Sequence, residues 1–140
     1  MRFYKSKLGT LPGSSLEEVI KVARQEYHTI QKRTPRRIAH VRSVYFQKDK
    51  VFINNFWDHL NQKSPKERVK RLKFYLCAID LLRNSKFPPE SFQNPDNANE
   101  ILHRFRGISA DGYEFAVQVK DNKKTNRKDF MSVFPRRPSK

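Results

Sequence analysis

The stretch from Ile101 to Phe134, ILHRFRGISADGYEFAVQVKDNKKTNRKDFMSVF, constrains the fold of this chain more than any other part. It divides into three runs rich in β-branched and aromatic residues. Ala110-Asp111-Gly112 separates the first two, and a charged loop from Asp121 to Asp129 separates the second from the third. Asp-Gly between two such runs is a strong hairpin signal, so three short antiparallel strands are expected. A three-residue loop places Gly112 in the left-handed conformation, where the missing Cβ matters. In that register Ser109 faces Tyr113, Phe105 faces Val117 and His103 faces Val119. Ile101, Phe105, Tyr113, Phe115, Val117 and Val119 share one face, while Arg104, Arg106, Gln118 and Lys120 share the other with Glu114 and Ala116. A two-residue loop would mix Arg104 and Arg106 with Val117 and Val119, because one step of slip flips a strand. The first register therefore predicts an apolar face and a basic, hydrogen-bonding face. The last strand, Phe130-Met131-Ser132-Val133-Phe134, sets one hydroxyl inside an apolar run. That face reads either as a solvated sheet surface with a tolerated serine, or as a phosphate-binding surface that includes Ser132.

Before this unit the chain is mostly helical in pattern. Phe3 and Tyr4 suit a short strand. Ser15 with Glu18, or Ser14 with Glu17, has capping-box spacing, and Leu16, Val19, Ile20, Ala23, Tyr27 and Ile30 recur at helical period up to about Lys32. Thr34-Pro35 should end that helix. Val41 to Asn54 reads as a second hairpin, and Asn54 or Asn55 as the cap of a short helix to Asn61 with Phe56, Trp57 and Leu60 inward. Ser64-Pro65 with Glu67 opens one further helix, with stripe Val69, Leu72, Leu76 and Ile79, running to about Ser85. Phe87-Pro88-Pro89 and Gln93 to Asn97 are loop chemistry. The expected fold is α+β, with N-terminal helices packed on a small antiparallel β-sheet of about four strands. Residues 1–43 form a helical and basic extension, 44–134 the core and 135–140 a basic tail, within a single domain overall.

Thirty Lys and Arg against fourteen Asp and Glu give a net charge of +16. Such an excess repels itself and points to a polyanionic partner, with nucleic acid preferred over an anionic membrane or an acidic protein. Arg36, Arg37 and Arg42, in a stretch without acidic residues from His28 to Lys48, are candidate RNA contacts. Arg106 and Gln118 on the sheet face and Arg136 and Arg137 in the tail join them. No apolar run has the length of a membrane span, and no signal peptide is visible. The single cysteine, Cys77, excludes an internal disulfide framework and sits in an apolar stripe, as in a chain that works in the cytoplasm, whether made there or delivered there.

Carboxylates are scattered without a close pair, which disfavours a magnesium-clustering nuclease. Neither H-x-x-x-H, C-x-x-C, Walker A nor G-x-G-x-x-G occurs, so no metal and no cofactor is expected. Metal-independent RNA cleavage fits the residue types present. RNA supplies its own nucleophile, the 2′-hydroxyl, and a protein need only remove that proton, stabilise the phosphorane and protonate the leaving 5′-oxygen. The product is a 2′,3′-cyclic phosphate.

The layout Lys50-Val-Phe-Ile-Asn-Asn-Phe-Trp-Asp-His59-Leu, followed by the run from His103 to Lys120 and Phe130-Met-Ser-Val-Phe-Pro, resembles a known group. It is the ribonuclease fold family that unites barnase, EndoU, colicin D-type tRNases and RelE-type toxins (the BECR fold), and the resemblance spans roughly Val44 to Phe134. It implies a toxin-type endoribonuclease acting on tRNA or another structured RNA, travelling with an acidic immunity or antitoxin protein. By that likeness His59 is the base or acid, Arg104 and Lys120 hold the phosphate and Ser132 orients it. His59 beside Trp57 reads equally as a satisfied core histidine, His103 is a reserve acid or base, and Tyr113 and Thr125 are further candidates. Two other readings stay open: a non-catalytic nucleic-acid-binding module from a mobile element, and a domain whose basic surface meets an acidic protein.

Overall fold

A capping box starts the first long element. In the computed structural model, which describes residues 3–34, 36 and 38–136, Ser15 is the N-cap of helix α1, Leu16–Arg33. The Glu18 amide donates to Ser15 Oγ at 3.3 Å and the Ser15 amide to Glu18 Oε1 at 3.4 Å. Hydrogen bonds to the Glu18 carboxylate from the Ser15 hydroxyl (2.9 Å) and then the Ser15 amide hold its carboxyl below the ordinary range. Val19, Ala23 and Ile30 are the buried stripe of α1.

The remaining elements follow in order: strands β1 (Tyr4–Lys5, before α1), β2 (His40–Ser43) and β3 (Asp49–Phe52), then helices α2 (Asn55–Asn61), α3 (Pro65–Leu72) and α4 (Tyr75–Asn84), then strands β4 (Glu90–Gln93), β5 (Glu100–Ile108), β6 (Glu114–Asn122) and β7 (Arg127–Pro135). The sheet order is β1-β5-β6-β7-β3-β2, with β4 pairing the same edge of β5 that β1 reaches further along. Two pairs, β1–β5 and β3–β7, are parallel and the rest antiparallel.

This corrects the expectation of N-terminal helices on an antiparallel sheet of about four strands. The sheet is mixed, has seven strands and curls into a half-barrel, and α2, α3 and α4 lie between β3 and β4. The β2–β3 hairpin lies where one was expected and β1 includes Tyr4, so the physical reason is how these short strands pair. The parallel pairs join distant segments, such as Tyr4 with Gly107, and no local pattern reports them. Glu90–Gln93, expected as linker, completes an edge instead.

The helix expected from Pro65 to Ser85 is two helices. The Lys73 carbonyl accepts the Leu11 amide at 2.9 Å, and the chain turns there so that Phe74 and Tyr75 both reach the interior. Ser64 caps α3 through the Glu67 amide, with Pro65 in the first turn. Asn54 holds the cap position of α2 without a side-chain cap bond, and Asn55 instead donates to Asp129 Oδ1 at 3.2 Å.

The central hairpin has the expected register: Phe105 pairs with Val117 and His103 with Val119. The Ser109 amide donates to the Tyr113 carbonyl, and Gly112 has φ +92°. One buried cluster includes Leu11, Val19, Ile53, Leu82, Phe105 and Val133, so residues before 44 share the interior with those after it. Cys77 is fully buried, and burial raises its thiol to about 11.

Candidate functional site

Four strands carry one row of side chains across the sheet. Glu90 pairs with Arg104, Arg104 with Gln118 and Gln118 with Ser132. Paired residues point to the same face, and Lys120 shares it because side chains alternate along β6. The strand that carries Ser132 holds an irregularity. Gln118 pairs with Ser132 but Val119 pairs with Phe130, which leaves Met131 as a bulged extra residue. Phe130 and Val133 are both fully buried although three apart, and Met131 and Ser132 between them line the opposite face. The bulge absorbs Met131, so Phe130 stays inside while Ser132 keeps its place opposite Gln118.

Helices α2 and α3 cover this face and enclose a cavity of about 520 Å³ with it. Helix α2 is held down by Phe56, which stacks on Phe130 with centroids 4.7 Å apart and planes 8° apart. One turn later His59 enters the cavity, and Lys63 follows at the next turn of spacing. Arg68 fixes the α2–α3 turn by donating to the carbonyls of Lys63 (2.9 Å) and Asn61 (2.7 Å). Arg71 enters from α3, bonded to Glu67 at 3.1 Å. Gln118, Lys120, Ser132 and Phe134 form the sheet wall.

The electrostatics favour an anion. Lys63, Arg71 and Lys120 face one lining carboxylate, Glu100, which lies 3.9 Å from Lys120 and accepts from Asn94 at 2.9 Å. His59 is half-buried, and burial, reinforced by the charges of Lys120 and Lys63, holds its imidazole below the ordinary value of 6.5. At neutral pH it is therefore uncharged and able to accept a proton.

The structure brings together His59, Lys120, Ser132 and Gln118 of the residues expected from sequence. Arg104 stands behind them. Its guanidinium lies between the rings of Phe92 (5.3 Å) and Phe134 (5.5 Å) and donates to Gln118 Oε1 at 3.1 Å. It positions Gln118 and does not line the cavity. Arg106 is committed within the protein: it bonds Glu114 at 3.4 Å, lies 3.9 Å from Glu90 and covers the Phe3 ring. Arg42 donates to the Lys48 carbonyl on the β2–β3 hairpin, and Arg36 lines a separate pocket with Lys32 and Thr34. Arg136 lines another pocket beside α3. Arg37 and Arg137 lie outside the described residues.

His103, the reserve acid or base, is on the opposite, interior face. Its Nδ1 meets Ser91 Oγ at 2.7 Å and its Nε2 meets Asp121 Oδ2 at 3.1 Å. Burial works against the Asp121 charge, but hydrogen bonds from Lys123 and His103 overcome it and keep the carboxyl low. Lys63 and Arg71 were not foreseen as site residues. Lys63 lies in the turn after α2, where no helical period reports it, and Arg71 needed the turn at Lys73 to be known. Among the described residues no three His, Cys, Asp or Glu side chains gather where they could hold a metal ion. No known protein family, curated protein or solved structure matches the chain.

Proposed function

We propose that this cavity binds an RNA phosphodiester and cleaves it through attack of the RNA's own 2′-hydroxyl, leaving a 2′,3′-cyclic phosphate. The observation that carries this reading is a half-buried His59 sharing one cavity with Lys63, Arg71, Lys120 and Ser132, where burial holds its imidazole below the ordinary value. His59 takes the 2′-hydroxyl proton. Arg71 and Lys120 balance the charge that builds on the non-bridging oxygens, where preorganised cations act most strongly. The Ser132 hydroxyl donates to one of those oxygens, and the Lys63 ammonium supplies a proton to the departing 5′-oxygen. Each of these groups acts without a metal ion.

The net charge of +16 supports a large anionic substrate, and tRNA or another structured RNA is the class proposed. Work on such a substrate is placed in the cytoplasm. Among the described residues no helix is long and apolar enough to cross a membrane. The same charge suits an acidic immunity or antitoxin protein as the natural cover of the cavity. Kinship with the barnase, EndoU, colicin D and RelE group is proposed on function alone, since the seven-stranded mixed sheet departs from the sheet expected of that group.

The test is incubation of the purified protein with total RNA in the presence of a chelator, followed by end-group analysis. Cleavage ending in cyclic phosphate, lost in His59→Ala, is the expected outcome. Absence of cleavage at high protein concentration would refute the proposal. Retained RNA binding without cleavage in the unaltered protein would favour a binding module instead.

A further inference from the structure

A second pocket, of about 500 Å³, lies on the other side of α3 from the cavity. Its apolar surface comes from Phe74, Tyr113 and Pro135, and its rim from Lys70, Lys73 and Arg136, with no carboxylate among the lining residues. Tyr113 is 59% exposed, more than any other large hydrophobic side chain described. Its backbone is nevertheless braced. The Tyr113 amide donates to Ser109 Oγ at 3.0 Å, and the Ser109 amide returns a bond to the Tyr113 carbonyl at 2.9 Å. Asp111, in the same turn, accepts from the Thr10 amide at 3.1 Å and the Thr10 hydroxyl at 2.6 Å. Hydrogen bonds from Ser109 and Thr10 hold that carboxyl at about 2, so the turn stays tied down at neutral pH. A rigid backbone presenting an open aromatic ring beside cations is what a stacked base with its phosphate requires.

The two pockets are continuous along shared elements. Arg71 faces the cavity while Lys70 and Lys73 face the second pocket, and Phe134 gives way to Pro135 along β7. Ser132 and Arg136 are four steps of extended chain apart, a span of about 13 Å, which a few nucleotides cover.

We propose that this pocket is a base-stacking subsite for single-stranded RNA, in which Tyr113 receives a base of the strand that runs on from the cleavage cavity, while Lys70, Lys73 and Arg136 hold the adjoining phosphates. The inference rests on the cavity being an RNA site, and it adds where the strand goes. Stacking is tolerant of base identity, so the subsite confers affinity for unpaired strand more than for sequence.

The test uses a fluorescently labelled, single-stranded 2′-O-methyl oligonucleotide, which lacks the nucleophile and so reports binding alone. Tyr113→Ala is expected to bind about 10-fold more weakly, Tyr113→Phe to bind like the unaltered protein, and Lys73→Ala to flatten the salt dependence by close to one phosphate's worth. Tyr113 lies in an exposed turn, and unchanged circular dichroism would show that the variant folds. Equal affinity of Tyr113→Ala and unaltered protein would overturn the subsite even where His59→Ala abolishes cleavage. A Tyr113-dependent loss in a protein that cleaves nothing would uphold the subsite while the catalytic reading fails. No binding of the oligonucleotide by the unaltered protein would overturn it as well.

Discussion

Phe130 is the residue through which the packing and the chemistry can be separated by experiment. Helix α2 has seven residues, far short of the ~12–15 that an isolated helix needs to be even marginally stable in water. Its cap residue makes no side-chain cap bond, so the order of α2 comes from burial of Phe56, Trp57 and Leu60. The Phe56 ring lies flat on Phe130, and His59 follows one turn later. Phe130→Leu removes the ring pair, about 1 kcal/mol, and leaves poorly filled space worth about another 1 kcal/mol. A chain of 140 residues commonly has roughly 7–20 kcal/mol of stability, so the variant stays folded. With a urea slope of about 2 kcal/mol/M, the midpoint falls by about 1 M. The fluorescence of Trp57, the single tryptophan and 5.3 Å from Phe56, should change with it. The NMR signals of the His59 ring should move and RNA cleavage should drop, while oligonucleotide binding at Tyr113 persists. An unchanged midpoint, or a lowered midpoint with His59 signals unmoved, would show that the stack does not seat α2.

Protonation gives a second expectation. His59 resists protonation in the folded chain, so the unfolded chain binds more protons as pH falls below 6.5. The contribution of His59 to stability is therefore whole above 6.5 and lost as pH falls through the lowered folded value, and cleavage declines over the same acid range; a rate that declines toward high pH near neutrality would contradict it. In Gly107→Ala the new Cβ would sit 2.6 Å from Phe115 Cζ and 3.0 Å from Leu81 Cδ1. The β5–β6 pairing and α4 both resist the shift, and a loss of about 1–3 kcal/mol is expected in urea denaturation. Ser15→Ala removes the hydroxyl that accepts from the Glu18 amide and donates to the Glu18 carboxylate, and should cost about 1 kcal/mol by the same assay, with cleavage unaffected.

The features legible in the sequence were those with local causes. Gly112 fixes the hairpin loop and thereby the facing of Phe105, Val117, Arg104 and Gln118. Ser15 with Glu18 and Ser64 with Pro65 mark helix starts by their own hydrogen bonds and ring geometry. What could not be read depends on distant partners. The turn at Lys73 exists because Leu11 claims a carbonyl there, and β1 joins the sheet in parallel because β5 offers an edge. Likewise Glu114 was expected on the face of Arg106, yet Glu90, which joins it there in holding the guanidinium, came from a stretch expected to be loop. Arg104 looked like a phosphate ligand, yet two rings and Gln118 enclose it. Lys120 and His59, expected together from the sequence, do line one cavity, and among the described residues no closer partner draws either away, Glu100 being 3.9 Å from Lys120.

Met131 is one residue more than β6 can match. Dropping its codon would make the ladder regular and leave the serine opposite Gln118, with Phe130 and Val133 still inside. The bulge thus soaks up a change of length without turning either face over. A strand built this way can gain or lose a residue at that spot while the interior and the cavity both keep their linings.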